Sequence, residues 1–352
     1  MIKVLIQQEQ ITSYRIDIFN LISKYYDLTI VHKGPLISKN LVFFKQEIRK
    51  IYKIGPLFFQ NFTNLTKGFD VIITSANLRF LNNFFLSILP RKFKWITWGI
   101  GVSASYKKKF DINKKYDFLR YLIFGKSDAL IFYSAYPVKK YLANGVNITK
   151  IFVAHNTYSN KCGFQKQRDC FVFIGSLFEE KGLMELIKQY KLALSYVGKD
   201  LLPLKIIGGG KLEKPIKKSI EENNLKNKIQ LLGPIFEKKK INRILSKALL
   251  SISPKQAGLA VLHSMSCGVA FVTSKESITG GEIFNITNNY NGVIYKTSGE
   301  LQNIIIDAHN NPIKYIAMGS HAHEYYYKNR TGSKMVKSFI KAINQVTKST
   351  DK

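Results

Sequence analysis

Residues 249–274 read LLSISPKQAGLAVLHSMSCGVAFVTS. A short apolar strand stops at Pro254, where a missing amide hydrogen ends ladder pairing. Small residues follow, then an apolar helical pattern over Leu259–Cys267 that closes at Gly268. A second apolar strand, Ala270–Thr273, comes next. Strand, helix and strand in so short a run form a βαβ unit with parallel strands and a right-handed crossover.

The same rhythm extends both ways. Towards the N-terminus lie strands at Phe171–Ile174, Leu204–Ile207 and Ile229–Leu232, with helical patterns at Lys181–Leu194, Pro215–Asn223 and Lys240–Lys247. Beyond the opening run come a strand at Gly292–Tyr295 and helices at Leu301–Asn310, Ile313–Tyr327 and Thr331–Val346. KCGFQKQRDC (161–170) is polar and aperiodic, and it is the candidate linker. Before it the alternation already runs once, with strands at Lys3–Gln7, Leu28–His32, Val71–Thr74, Lys94–Trp98, Leu130–Tyr133 and Ile151–Ala154. The helical patterns there are Tyr14–Lys24, Leu78–Leu89, Tyr116–Phe124 and Pro137–Asn144. The expected fold is α/β: two Rossmann-like sheets in tandem, facing a cleft at the carboxyl ends of their strands. The expected domains are 1–164, 165–330 and a terminal helix, 331–352.

The 352 residues suffice for two domains. No apolar run reaches the roughly 18–20 residues of a membrane span. MIKVLIQQEQ reads as a first strand and lacks the features of a signal peptide, so a cytoplasmic location is expected. Cys162, Cys170 and Cys267 have no metal-ligand spacing, which excludes a zinc ribbon and argues against a disulfide framework. The formal charge is +31, from 54 Lys+Arg against 23 Asp+Glu. Anionic small substrates, an anionic membrane surface, nucleic acid, or compositional drift in a Lys-, Asn- and Ile-rich chain would each account for it. No nucleic-acid recognition motif is present. Lys107-Lys108-Lys109 and Lys114-Lys115 resemble juxtamembrane basic clusters, or are solvated surface.

Four loops follow strands of the second half. FIGSLFEEKG (173–182) places Gly175, Ser176 and then Lys181 at a helix start, a pattern for an anion site or for a solvated lysine. IIGGGKLEKP (206–215) carries Gly209 in a turn that lacks the dinucleotide fingerprint. Gly258-Leu259 sits where a helix begins, so its backbone can approach a diphosphate. Lys255 precedes this turn and His263 follows it by about one helical turn, either as a ligand contact or as a satisfied buried histidine. SKESITGGEIFNI (274–286) adds a flexible Gly280-Gly281 and Glu282, a carboxylate in a basic chain or an ordinary loop residue.

In order and spacing, FIGSLFEEKG, IIGGGKLEKPI, IQLLGPI, SPKQAGLAVLHSMSCGVAFVTS and TGGEIFNITNNYNGVIY resemble the donor domain of GT-B glycosyltransferases, in particular glycosyltransferase family 4. The resemblance is close over residues 170–300. The opening IQQEQITSYRIDIFNLISKYYDLTIVH resembles bacterial surface-polysaccharide transferases, and WITWGIGVSASY (95–106), with Trp98, Gly99 and Gly101, resembles their acceptor-side loop. The resemblance implies the GT-B fold with a final helix crossing back to the N-domain. It also implies a nucleotide diphosphate sugar as donor, no metal or other cofactor, and retention of configuration. The acceptor would be a lipid-linked glycan of lipopolysaccharide, capsule or O-antigen synthesis, met at the inner face of the cytoplasmic membrane.

By this resemblance Lys181 neutralises diphosphate and Gly258-Leu259 donate backbone hydrogen bonds. Lys255 and His263 stand where the family carries Glu, seven residues, then Glu, so His263 would hold ribose. Glu282 touches the donor sugar or fixes its loop. Ser176 stands where the family has Arg, and Arg15 would compensate by closing over donor or acceptor. Ile100 replaces an acid–base histidine of some relatives. The alternatives are an inactive homologue that binds or scaffolds, a sugar-nucleotide epimerase of the same fold, and a basic polyanion-binding protein.

Overall fold

The computed structural model describes residues 1–105, 109–112 and 114–348. Lys107, Lys108 and Tyr106 therefore lie outside the described residues. The chain divides into two compact units, Met1–Ser159 with Thr331–Lys352, and Asn160–Arg330.

The first unit contains, in chain order, β1 (Lys3–Gln7), α1 (Ser13–Ile22), β2 (Asp27–His32), β3 (Lys45–Ile48), β4 (Ile51–Ile54), β5 (Leu57–Gln60) and β6 (Val71–Ser75). Then come α2 (Leu81–Ile88), β7 (Lys94–Gly99), β8 (Ala104–Ser105), β9 (Lys109–Phe110), α3 (Asp117–Gly125), β10 (Ala129–Phe132), α4 (Val138–Ala143) and β11 (Ile151–Val153). A parallel sheet is ordered β11-β10-β7-β6-β1-β2-β3. Its central strands are buried on both faces, which is why they read as continuous Val/Ile/Leu runs. Edge strand β3, KQEI, has no such run because it meets water, and the periodicity argument passes over it. It also passes over the β4–β5 hairpin and the two-residue β8 and β9.

The second unit contains β12 (Cys170–Ile174), α5 (Leu183–Val197), β13 (Leu204–Ile207), α6 (Glu213–Glu222), β14 (Ile229–Leu231), α7 (Lys238–Leu245) and β15 (Ala248–Ile252). These are followed by β16 (Gln256–Ala257), α8 (Ala260–Ser266), β17 (Ala270–Ser274), β18 (Ile278–Thr279), β19 (Gly292–Tyr295), α9 (Ser298–Asn310) and α10 (Pro312–Asn329). Its sheet is parallel, ordered β14-β13-β12-β15-β17-β19. The opening run is the β15–α8–β17 crossover, with Leu250 beside Ala270. The last helix, α11 (Gly332–Lys348), returns to the first unit. There Met335, Val336 and Phe339 share a core with Ile18, Phe19 and Ile22 of α1.

One local expectation needs correcting. Lys181 does not open a helix. It ends a single 3-10 turn, Glu179–Lys181, and α5 starts only after Gly182. Gly182 has φ +71°, and a Cβ there would meet Lys255 Cγ at 2.8 Å and Pro254 Cβ at 3.0 Å. Backbone shape and crowding both interrupt the helix at this point.

Candidate active site

In the second unit the loops after β12, β13, β15 and β17 interlock. Leu177 N donates to Gly209 O at 3.0 Å and Gly175 N to Ile207 O at 3.0 Å. A Cβ on Gly208 would fall 1.8 Å from Gly175 O, and one on Gly210 2.7 Å from Leu177 O. The glycine run after β13 is therefore explained by backbone packed on backbone. Gly209 itself sits between two such contacts, against Pro234.

The next link joins Lys181 to the opening run. Lys255 N donates to Lys181 O at 3.3 Å. Ile278 N donates to Lys255 O at 2.9 Å, and β16 pairs with β18. Thus Ser176, Lys181, Lys255, Gly258, Gly280 and Gly281 lie on loops that are directly connected, or one loop apart, at the carboxyl ends of one sheet. This is where open α/β sheets bind ligands.

Lys181 is buried, and burial pushes its ammonium down to about 8, with Glu180 pulling the other way. Lys255 is half-exposed, its Nζ 3.9 Å from a Glu185 carboxylate oxygen. A Cβ on Gly258 would have Gln256 Cδ as its nearest neighbour, at 3.8 Å, so it would make only ordinary van der Waals contact. Leu259 is in the αR region and caps α8, whose Val261 and His263 amides donate to Gly258 O and Leu259 O.

Glu282 is buried, and Gly280 N donates to its Oε2 at 2.8 Å. Thr279 Oγ1 accepts from Gly281 N at 3.0 Å and Ile283 N at 3.2 Å. Of its two possible roles, this geometry favours fixing the loop.

His263 is buried on α8, with Nε2 2.8 Å from Asn242 Oδ1 on α7. The amide oxygen only accepts, so Nε2 carries the proton and Nδ1 is the acceptor nitrogen. Asn242 in turn bonds Asn160, which donates to Ser266 Oγ at 2.8 Å. Burial, then Lys238, lowers the imidazole to about 3, so it is neutral at pH 7. Asn242 and Asn160 were not singled out in the sequence, where nothing links positions so far apart.

In the first unit Gln7, Gln8, Gln10, Ser75, Asn77 and Trp98 line a cavity of about 380 Å³ at the carboxyl ends of β1, β6 and β7. Its polar residues were missed as well, although QQEQ and TSAN end strands and announce a polar mouth. Trp98 stacks edge-on with Tyr133 and Phe339. Gly99 and Gly101 have packing reasons of their own. A Cβ would meet Ala76 at 3.0 Å from Gly99, and Phe132 and Pro137 at 2.8 Å from Gly101. Arg15 is buried, its guanidinium 4.6 Å from the Trp98 ring centre and its Nη2 2.9 Å from Asn156 Oδ1. It holds α1, Trp98 and the end of β11 together.

Among the described residues no group of three or more His, Cys, Asp or Glu is placed to hold a metal, and no helix is long and apolar enough to cross a membrane.

Two parallel α/β units, the second with interlocked loops at the carboxyl ends of its strands and the first with the returning helix, define a GT-B nucleotide-sugar glycosyltransferase. Residues 155–349 match the family model described as glycosyl transferases group 1, and the chain belongs to that family. Solved structures support the fold. Anabaena HepE in complex with UDP superposes with a TM-score of 0.71 at 14% identity, covering 98% of this chain and 100% of that one. S. aureus TarM, in a complex containing UDP, gives 0.69 at 14% identity with 98% and 100% coverage. Sucrose-phosphate synthase from Thermosynechococcus elongatus gives 0.69 at 13% identity with 99% and 100% coverage. No curated protein sequence matches the chain significantly.

Proposed function

We propose that this glycosyltransferase moves a sugar from a nucleoside diphosphate sugar to a hydroxyl of a lipid-linked glycan in bacterial surface polysaccharide synthesis, working peripherally at an anionic membrane. The observation that carries the donor half is the backbone link between Lys181 and Lys255. It ties the loop that carries buried Lys181 to the stretch that leads into the Gly258-Leu259 turn. In the reaction the bond from the anomeric carbon to the diphosphate oxygen breaks. The acceptor oxygen takes its place, its proton passes to an oxygen of the departing diphosphate, and the diphosphate leaves with the bonding electrons. Negative charge grows on that leaving group, and fixed cations and amides stabilise it without reorganising.

Lys181 neutralises the diphosphate and the Gly258 and Leu259 amides bind its oxygens. Ser176 and Gly209 shape the floor of the site. Neutral His263, steadied by Asn242, supports the ribose end. Glu282 holds Gly280 and Gly281 in place. In the first unit Trp98, with Gly99 and Gly101 allowing its close packing, forms the acceptor wall, and Arg15 positions that tryptophan. Retention of configuration and independence from metal follow the family resemblance.

HepE and TarM were both solved with UDP, which supports a uridine donor here. The test is a thermal-shift screen of UDP, GDP and their sugars. A ligand that binds only the folded chain raises its melting temperature by mass action. UDP should do so in the intact chain and far less in Lys181→Ala. A screen in which no nucleoside diphosphate shifts the melt would count against the proposal.

A further inference from the structure

Two neighbouring helices of the first unit bury polar side chains while exposing large apolar ones. On α2 the inward residues are Asn82 and Asn83, 7% and 1% exposed, whereas Phe84 and Ile88 face outward at 47% and 60%. The asparagines are fully used inside. Asn82 exchanges hydrogen bonds with the Gln60 backbone, and Asn83 bonds Thr74, Ser75 and Asn77. On α3 the buried residues are the Asp117–Arg120 ion pair and Phe124, while Phe118 and Leu122 are 64% and 60% exposed. A helix that met only water on its outer side would carry the opposite arrangement.

The outward side chains form one surface. Helices α2 and α3 pack side by side. The Phe84 and Phe85 rings are 5.9 Å apart, and Phe85 meets Phe59 of the hairpin at 6.3 Å. Exposed Leu89 continues the patch. Exposed Arg79 and Lys92 flank α2 along the chain, and exposed Lys114, Lys115 and Lys126 flank α3. From Arg79 to Lys126 the sequence holds only two carboxylates, Asp111 and Asp117, and both are buried. Just beyond Lys126, partly exposed Asp128 lies 3.7 Å from Arg91, so the flanks are net cationic. An apolar face with net-cationic flanks disfavours a second copy of itself and matches a surface that is apolar below and anionic above.

We propose that the α2–α3 face is where the chain docks onto an anionic lipid bilayer, with the aromatic and aliphatic side chains entering the headgroup–acyl boundary. This rests on the proposed lipid-linked acceptor and says which surface meets the lipid. Helices of eight and nine residues lie in that boundary and do not span it.

The test is co-sedimentation of the full chain with vesicles of phosphatidylcholine alone, or with about one-third phosphatidylglycerol. Binding should require the anionic lipid. It should weaken about tenfold or more in Phe84→Ser/Ile88→Ser and in Phe118→Ser/Leu122→Ser, because apolar burial in the bilayer scales with the side chain lost. Phe236→Ser, which removes a 92% exposed ring in the second unit, should bind as the unaltered chain does. The UDP thermal shift is measured on every protein. Its retention shows that the variants are folded and that the donor site is independent of the patch; its absence from the unaltered chain as well would instead mark failure of the transferase proposal. The docking proposal is overturned if the unaltered chain ignores anionic vesicles, or if both folded double variants bind like it. It is also overturned if light scattering shows a dimer that the substitutions dissociate, which would assign the face to a second copy.

Discussion

Lys181→Met separates function from stability at one position. The ammonium of Lys181 is lowered from 10.5 to about 8 in the folded chain, chiefly by burial. That displacement, at about 1.4 kcal/mol per pH unit, costs on the order of 3 kcal/mol at pH 7. The sign follows from proton counting. Between about pH 8 and 10.5 the unfolded chain holds more protons than the folded one, so stability rises with pH across that window. Below pH 8 the penalty is present in full. Methionine keeps most of the volume without the charge. The variant should therefore melt higher at pH 7, by about 2–6 °C for a chain of this size, and its advantage should shrink towards pH 10. Donor binding should move the other way. The protonated fraction of Lys181 falls from about 0.9 at pH 7 to about 0.1 at pH 9, so UDP affinity should weaken about tenfold over that range. Lys181→Met should bind more weakly at pH 7 by about tenfold to a hundredfold, the range for losing a charge-assisted hydrogen bond. Lys181→Arg should lose the pH dependence. Any titration of UDP itself is common to all three proteins, so the comparison by calorimetry removes it. A variant less stable at pH 7, or an affinity profile in Lys181→Met that still follows the unaltered chain, would refute the reasoning.

Other positions give shorter tests. Gly208→Ala should lower stability by about 3 kcal/mol or more in denaturant melts, because its Cβ would lie 1.8 Å from Gly175 O. A Cβ at Gly258 would make only ordinary van der Waals contact, so Gly258→Ala should stay within about 1 kcal/mol of the unaltered chain while weakening UDP binding. His263 is neutral in the folded chain down to about pH 3 but protonates near 6.5 when unfolded, so its share of stability holds above pH 6.5 and declines as pH falls. His263→Gln should flatten acid melts between pH 6.5 and 4. The Cys162 thiol is lowered by its hydrogen bond with Cys267 and by Arg168, whereas burial pushes Cys170 up to about 12 and Cys267 higher still. Mass spectrometry after brief iodoacetamide treatment should find Cys162 alkylated first.

The α/β alternation was legible because strands buried on both faces write themselves as apolar runs and helices as periodic ones. Lys3–Gln7 is found at its observed bounds. What stayed hidden was short, polar or at an edge: KQEI of β3, the β4–β5 hairpin and the two-residue β8 and β9. The candidate site was legible as a set of loops, since glycines and lysines after strands are local signals. Their individual reasons were not. Gly208 and Gly210 answer to the backbone of residues more than thirty positions away, and the partner of His263 comes from another helix. Helix α2 shows a related limit. Its period marks a helix, but nothing in a period says which face turns inward, and here the polar one does.

Lys255 and His263 set the electrostatics of the proposed donor site. Where the resembling family carries two carboxylates, this chain has one ammonium and one neutral imidazole. A carboxylate at position 255 would accept hydrogen bonds from sugar hydroxyls; an ammonium only donates, and it favours an anionic partner. The position's present neighbour is Glu185, 3.9 Å away and partly solvated, a pair stabilised by about 1 kcal/mol or less. A bound phosphate or uronic carboxylate at closer range would displace it. UDP-glucuronate should therefore bind better than UDP-glucose, and Lys255→Glu should reverse the order. Glu185→Gln should tighten the anionic donor by up to about fivefold, because it removes the competitor and leaves the ammonium in place. Competition calorimetry with the two donors measures all three. Equal affinity for both in the unaltered chain, unchanged in Lys255→Glu, would show that position 255 does not meet the sugar.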